Sequence, residues 1–299
     1  MDRKQAPWEN PYEHFGRDDV VAEYESFDFL LQPEETILAD LRANLADARM
    51  LDVGCGAGRT TLHFASLVRE YVGIDSSATM VEACRRRFVD SFGTTVSFLT
   101  ADVRDLDGLA SESFDFVLFS FNGLDIVGDH DERLRALREI RRVSRPGATF
   151  CFSSHNLSFA QAGFSVRSGL RDAFALARRK PSLLRRPRTL ATVVTRPLKW
   201  RALNTSPRAL ARLGHSVIVE ERPRYEFSKD FYAAPNELIR IRKYYVRPQA
   251  QIDQLAQLGF HESRVFAPDG YEVTESVAAG LPGSWWLYYL CVLQDRARA

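Results

Sequence analysis

The chain has 299 residues, 45% of them hydrophobic, which suffices for one large core or a core with an added lobe. Its net charge of +1 conceals a split, because residues 157–215 hold eleven Arg, two Lys and one acid and so carry +12 against −11 elsewhere; an acidic body bearing a basic insert that meets something anionic is the expectation. No apolar run nears the roughly 18 residues of a membrane span, the N-terminal M-D-R-K-Q-A-P-W-E-N-P-Y has no signal-peptide core, and four cysteines without C-x-x-C spacing read as buried free thiols of a cytoplasmic protein.

In chain order, residues 1–33 scatter aromatic side chains among acids and read as an N-terminal cap or lid, with helical spacing in D-D-V-V-A-E-Y-E-S-F. Pro33-Glu34-Glu35 opens a helix, proline being tolerated in the first turn and acids favoured at its positive end. M-L-D-V is a first strand, and a helix from about Arg59 to Val68 follows. E-Y-V-G-I-D is a second strand, with a helix from about Ala78 to Val89, then V-S-F-L-T-A-D and F-D-F-V-L-F-S. The helix D-E-R-L-R-A-L-R-E-I-R-R-V sets Leu134, Leu137, Ile140 and Val143 on one face and stops before Pro146-Gly147; A-T-F-C-F-S-S is the fifth strand. This alternation predicts a parallel sheet covered on both faces, with a core over 34–156. Residues 157–235 lack a clean period and read as a basic insert. Over 236–299 the pattern returns with the strand I-R-I-R-K-Y-Y-V, a helix ending at Gly259, and two strands, near S-R-V-F-A and in S-W-W-L-Y-Y-L-C-V-L, that read as an antiparallel closing hairpin.

The turn after the first strand reads D-V-G-C-G-A-G-R. A dinucleotide fold wants G-x-G-x-x-G, whereas the third position here is Arg59 and the glycine comes one residue earlier, at Gly58. The D-x-G-x-G-x-G formed by Asp52, Gly54, Gly56 and Gly58 resembles motif I of class I S-adenosylmethionine-dependent methyltransferases. Asp75 ends the second strand, 19 residues after Gly56; a carboxylate there can accept both ribose hydroxyls, which supports an adenosine nucleoside without choosing the cofactor. In the family, an acid after the third strand meets the adenine amino group and the next apolar residue packs on the ring, positions matched by Asp102 and Val103. The resemblance also places Cys55, Arg59, Ser76, Met80, Ser120 and Phe121 on the cofactor side. Methyltransferases acting on base amines carry N-P-P-[FY] or D-P-P-[FY] after the fourth strand. Ser120-Phe121-Asn122-Gly123 stands there instead, and no Cys follows, which argues against nucleic-acid-base chemistry. The resemblance implies an α/β, Rossmann-like seven-stranded sheet, mostly parallel, with helices on both faces and the insert after the fifth strand.

Acceptor-side groups come from the carboxyl ends of the fourth and fifth strands, the cap and the insert. They nominate Asn122, Asp125, His155 and Asn156, with His155 as general base because imidazole titrates near neutrality. His155 bonding a loop carbonyl and Asp125 as a turn residue are the competing readings, and His130 reads as an exposed helix start. Tyr12 and Tyr24 read as a lid or as core packing. Tyr244 and Tyr245 are pocket candidates, of which alternation allows one. No ligand spacing suggests a metal, so metal-independent transfer is expected. The insert reads as a lid over a small anionic or sugar-like acceptor. The alternatives are RNA binding with Trp200 stacking and peripheral docking on anionic lipid through Leu183, Leu184, Val193 and Val194. Transfer to a hydroxyl is the first reading and to an amine the second; against a non-catalytic binding protein stand the intact glycine turn, Asp75 and Asp102.

Overall fold

In the computed structural model, which describes residues 11–88, 91, 93–163, 203–204, 214–223, 238–273 and 284–294, the apolar runs become parallel strands. These are β1 (Arg49–Val53), β2 (Glu70–Asp75), β3 (Val96–Thr100), β4 (Phe114–Phe119) and β5 (Ser144–Asn156), in the order β3-β2-β1-β4-β5. Chain order reverses between β1 and β4, so a crevice opens beyond their carboxyl ends. Alternate residues feed two cores. Leu51, Val53, Val72, Ile74, Val117 and Phe119 point to one face; Met50, Tyr71, Phe116, Leu118 and Cys151 point to the other.

Helices close both faces: α1 (Pro11–Phe15), α2 (Asp18–Glu25), α3 (Gln32–Leu41), α4 (Thr61–Phe64), α5 (Ala78–Phe88), α6 (His130–Val143), α7 (Leu157–Gly163) and α8 (Pro248–Gln257). The turn of helix after β1 is shorter than its sequence suggests and continues as a 3-10 turn over Ala65–Leu67. Helix α6 starts at a capping box, where the Asp129 carboxylate accepts from the N–H groups of Asp131 (3.0 Å) and Glu132 (3.1 Å) while Glu132 reaches back to the Asp129 N–H. Its buried stripe is Arg133, Ala136, Leu137, Ile140 and Val143, and the expected Leu134 is only half-buried.

The sheet has nine strands rather than seven. The expected closing hairpin is present as β8 (Phe260–Phe266) and β9 (Trp286–Leu293), antiparallel to each other, with β9 antiparallel to β5. The additional strand β6 (His215–Pro223) lies inside the segment read as insert and pairs antiparallel with β7 (Leu238–Val246). Phe152 pairs with Phe119 of β4 on one edge and Tyr289 of β9 on the other, and His155 pairs with both Trp286 and Tyr245. Strand β7 therefore occupies the β4 edge of β5, just past the point where β4 ends. This brings the β6–β7 hairpin to the carboxyl end of the sheet, beside the crevice. Most of the insert, with Trp200, Leu183, Leu184, Val193 and Val194, lies outside the described residues, as does the side chain of Tyr12.

Candidate active site

The first of two adjoining cavities lies over the glycine turn. Gly56 has φ +55°, and a Cβ there would sit 3.1 Å from the Tyr24 ring, so the turn needs glycine both for its left-handed backbone and for close approach. Asp75 ends β2 with its carboxylate held in place by backbone donors, the Gly56 N–H at 3.0 Å and the Ser77 N–H at 2.8 Å. Burial raises its carboxyl above the ordinary value, and those two N–H groups moderate the rise. Each carboxylate oxygen keeps a lone pair for a ligand hydroxyl. Gly54, Ser76 and Met80 line this cavity with Asp75, and Asp102, Val103, Ser120 and Phe121 complete it; its empty volume, mouth included, is about 790 Å³, ample for a nucleoside. Burial would raise the Asp102 carboxyl, but Arg104, 2.6 Å away, holds it below its usual range.

Four of the expected cofactor residues do not line the cavity. Gly58, at φ +87°, keeps helix and turn together, since a Cβ would come 2.2 Å from Phe88. Cys55 is buried in the core beneath the turn. Asp52 is buried under the strand tip, where its carboxylate accepts from the Thr60 and Tyr71 hydroxyls, the latter at 2.5 Å. Arg59 turns away to Glu34 of α3 through two N–H···O bonds of 2.6 and 2.7 Å, and also donates to Ser120 Oγ. Glu34, read from sequence only as an acid at a helix start, is 2% exposed and also accepts from the Leu31 N–H and the Tyr288 hydroxyl.

The second cavity, with an empty volume of about 1240 Å³ including its mouth, shares Phe15, Tyr24, Phe121 and Ile126 with the first. Between them, Phe121 and Asn122 hold φ of +58° and +59°, a sparsely populated conformation for residues with a side chain and one that concentrates at functional sites. The Asn122 N–H donates to Ser153 Oγ at 2.7 Å. Burial pushes the Tyr24 hydroxyl up to about 12, so at neutral pH it stays protonated and cannot serve as a base.

On the wall of the second cavity the structure joins two residues nominated separately. His155 Nδ1 lies 2.6 Å from Asp125 Oδ2, and the His155 N–H donates to the same oxygen at 2.6 Å. With Nδ1 committed to the carboxylate, Nε2 is the ring nitrogen left for the cavity. The other oxygen, Asp125 Oδ1, accepts from Arg133 Nη1 at 2.6 Å and Ser154 Oγ at 2.7 Å. Burial would raise the Asp125 carboxyl, but the Arg133 charge and the His155 bonds outweigh it and hold it below its ordinary value.

Other nominated residues stand behind the wall. Tyr245 packs its ring 4.9 Å from the His155 ring and donates its hydroxyl to Glu220 of β6. Tyr244 points to the opposite face of β7, its hydroxyl 2.7 Å from His130 Nδ1. His130 is half-buried rather than simply exposed, stacked at 3.9 Å on His215. Buried Asn156 caps α7 by accepting from the Ser158 N–H at 2.9 Å. Sequence reading missed Lys243, Ile241 and Trp286, which line the second cavity, and Arg133. The signal for Arg133 was a charged residue three and four positions before Ala136 and Leu137, on the apolar stripe of an amphipathic helix.

Residues 50–147 match the family model described as a methyltransferase domain. Among curated proteins, the chain is 32% identical over 126 residues to the ubiquinone biosynthesis O-methyltransferase of Hahella chejuensis, covering 42% of this chain and 51% of that one. It is 26% identical over 152 residues to the cypemycin N-terminal methyltransferase of a Streptomyces species, covering 50% and 60%. The matched stretch thus spans only about half the length of these relatives. Among solved structures, the CcbJ methyltransferase of Streptomyces caelestis superposes with a TM-score of 0.55 at 16% identity over 94% of this chain and 98% of that one, a likeness of fold. Residues 50–147 thus resemble a methyltransferase domain in sequence, and the likeness to the solved methyltransferase is one of fold.

Proposed function

We propose that this methyltransferase domain moves the methyl group of S-adenosylmethionine onto a hydroxyl of a small acceptor, with His155 as general base. When bound, the cofactor supplies an electrophilic methyl on a sulfonium, which any in-line nucleophile can displace. Asp75 would hold the ribose hydroxyls, and Asp102 with Val103 the nucleobase, in the first cavity. Tyr24 and Phe121, common to both cavities, exclude water from the gap between donor and acceptor. The acceptor's O–H proton passes to His155 Nε2 as the oxygen–methyl bond forms and the sulfur–methyl bond breaks, and Asp125 stabilises the resulting imidazolium.

One observation carries this reading: a carboxylate-oriented imidazole on the wall of a cavity that adjoins the glycine-turn cavity. Lys243 on the same wall, with Glu220 3.8 Å from its Nζ, can donate hydrogen bonds to a polar group of the acceptor. The relative that methylates an N-terminus keeps an amine as the second reading, and mass spectrometry of the methylated product separates the two. The test is labelled methyl transfer into a candidate metabolite pool, together with calorimetric titration of S-adenosylmethionine. His155→Gln should lower transfer by about 10²- to 10⁴-fold with donor affinity unchanged. Full activity in that variant removes His155 as base, and absence of donor binding in the wild type removes the whole reading. RNA retention on filters at low salt would instead favour a nucleic-acid role for the insert.

A further inference from the structure

We infer that Arg133 is a positioning residue whose buried charge keeps His155 in its neutral, proton-accepting form. The inference rests on the base reading above but can be tested without any acceptor. Arg133 is 0% exposed, although it belongs to a helix with five arginines whose other side chains are not fully buried. Its guanidinium donates to Asp125 Oδ1 (2.6 Å), Leu124 O (3.1 Å), Ser154 Oγ (3.2 Å) and Gln251 Oε1 (2.6 Å), and lies 4.5 Å over the Tyr244 ring. Guanidinium stays charged at any relevant pH.

A carboxylate as buried as Asp125 requires a cation beside it. Two groups can supply one, Arg133 on Oδ1 and protonated His155 on Oδ2. Because Arg133 is always charged, the Asp125–Arg133 pair is already neutral and His155 can remain unprotonated, with its Nε2 lone pair available. Without Arg133, the compensating proton would settle on His155 and block the step it is meant to perform. The carboxylate still orients the ring in either case, so geometry and charge are set by different partners of one residue.

Among the described residues, the remaining charged and titratable groups facing His155 do not duplicate Arg133. From β7, Lys243 lines the same cavity, but Glu220 of β6 lies 3.8 Å from its Nζ and offsets it. Tyr245 meets the His155 ring, and His14 and Tyr24 approach from the N-terminal helices across the cavity; Trp286 of β9 carries no charge. On the far side of Arg133 stand Tyr244 and His130, which do not touch His155.

The test is NMR titration of the imidazole resonances of the whole protein, which has six histidines, with the His155 signals assigned by their loss in His155→Gln. In Arg133→Gln, His155 should take up its proton at a higher pH than in the wild type, because the cation sharing Asp125 is gone. Gln251→Glu is the second variant, and it keeps the bond to Arg133 while giving that charge a competing carboxylate. It should shift His155 in the same direction by a smaller amount, and it decides the matter if Arg133→Gln does not fold. An unchanged midpoint, or one moved to lower pH, in a folded variant overturns the inference. With an acceptor in hand, the acidic limb of the kcat/KM profile should move upward and transfer recover at alkaline pH, whereas a merely structural loss would be the same at every pH. Should His155→Gln keep full activity, the base reading falls while the titration still reports what Arg133 does to His155.

Discussion

Two buried arginine–carboxylate pairs flank the crevice, and they differ in what the carboxylate has left to give. At Glu34, both oxygens are taken by the Arg59 fork, with Ser120, Tyr288 and the Leu31 N–H filling the remaining positions. At Asp125, Arg133 and Ser154 occupy one oxygen and the other is given to His155. Burial would raise both carboxyls, and in each case the neighbouring arginine and hydrogen bonds hold the group below its ordinary value. The first pair is closed and acts as a clamp between α3, the glycine turn, β4 and β9. The second is open to an imidazole, so a carboxylate already neutralised by one cation still holds a second ring in place. Asp52 is the control that nature supplies: equally buried, bonded to two hydroxyls but to no arginine, its carboxyl is pushed up to about 6 by burial.

The comparison breaks most visibly if each pair is replaced whole. Arg133→Met with Asp125→Leu should leave a folded protein that binds S-adenosylmethionine, because apolar replacement of a buried pair is often near neutral. Methyl transfer should nonetheless fall by about 10²-fold or more, read in the labelled-methyl assay beside calorimetry. The matching Arg59→Met, Glu34→Leu protein should keep transfer within about tenfold of the wild type, since Ser120 Oγ and the Tyr288 hydroxyl, 2.8 Å apart, can satisfy each other.

Cutting the clamp on one side only is the next largest effect. Glu34→Gln leaves Arg59 buried without its counter-charge and should cost about 3–5 kcal/mol, seen as a lower urea midpoint at constant slope. A cost under about 1 kcal/mol, the range of exposed pairs, would show that the pair is not the clamp its burial suggests.

The smallest effect concerns Asp52. Its carboxyl titrates near 3.8 when unfolded and near 6 in the fold. Its contribution to stability is therefore full below about pH 4 and is lost as pH rises through about 6. Two pH units of difference correspond to about 2–3 kcal/mol. Asp52→Asn should remove that dependence, so denaturation midpoints of variant and wild type should converge at low pH and separate in the variant's favour toward pH 7. Parallel curves would mean that Asp52 is not held in the way its burial implies.

Much of the lining of the first cavity was legible because its residues follow one another along the chain. Gly54, Gly56, Asp75, Asp102 and Val103 each end a strand or begin the turn after it, and a strand tip has one place to point. The exceptions are informative: Cys55 and Arg59 sit within the motif but face the core and α3, and nothing in a turn motif says which way its non-glycine side chains point. Asp125 and His155 were visible as residue types on the right loops, but their pairing joins residues thirty positions apart. Arg133 hid among the arginines of α6, and Glu34 among the acids of a helix start. Strand β6 was lost in a basic, proline-containing stretch because its pairing with β7 is settled by a partner about twenty residues on.

By itself the sequence determined the strand–helix alternation, the glycine turn and the acids that end each strand, since these follow from local periodicity and from backbone angles that only certain residues accept. Tertiary structure decided which buried charge meets which. The cost of an unpaired charge depends on what lies across from it, and the turn after β4, β5, α6 and α8 bring Asp125, His155, Arg133 and Gln251 together only once the sheet has formed.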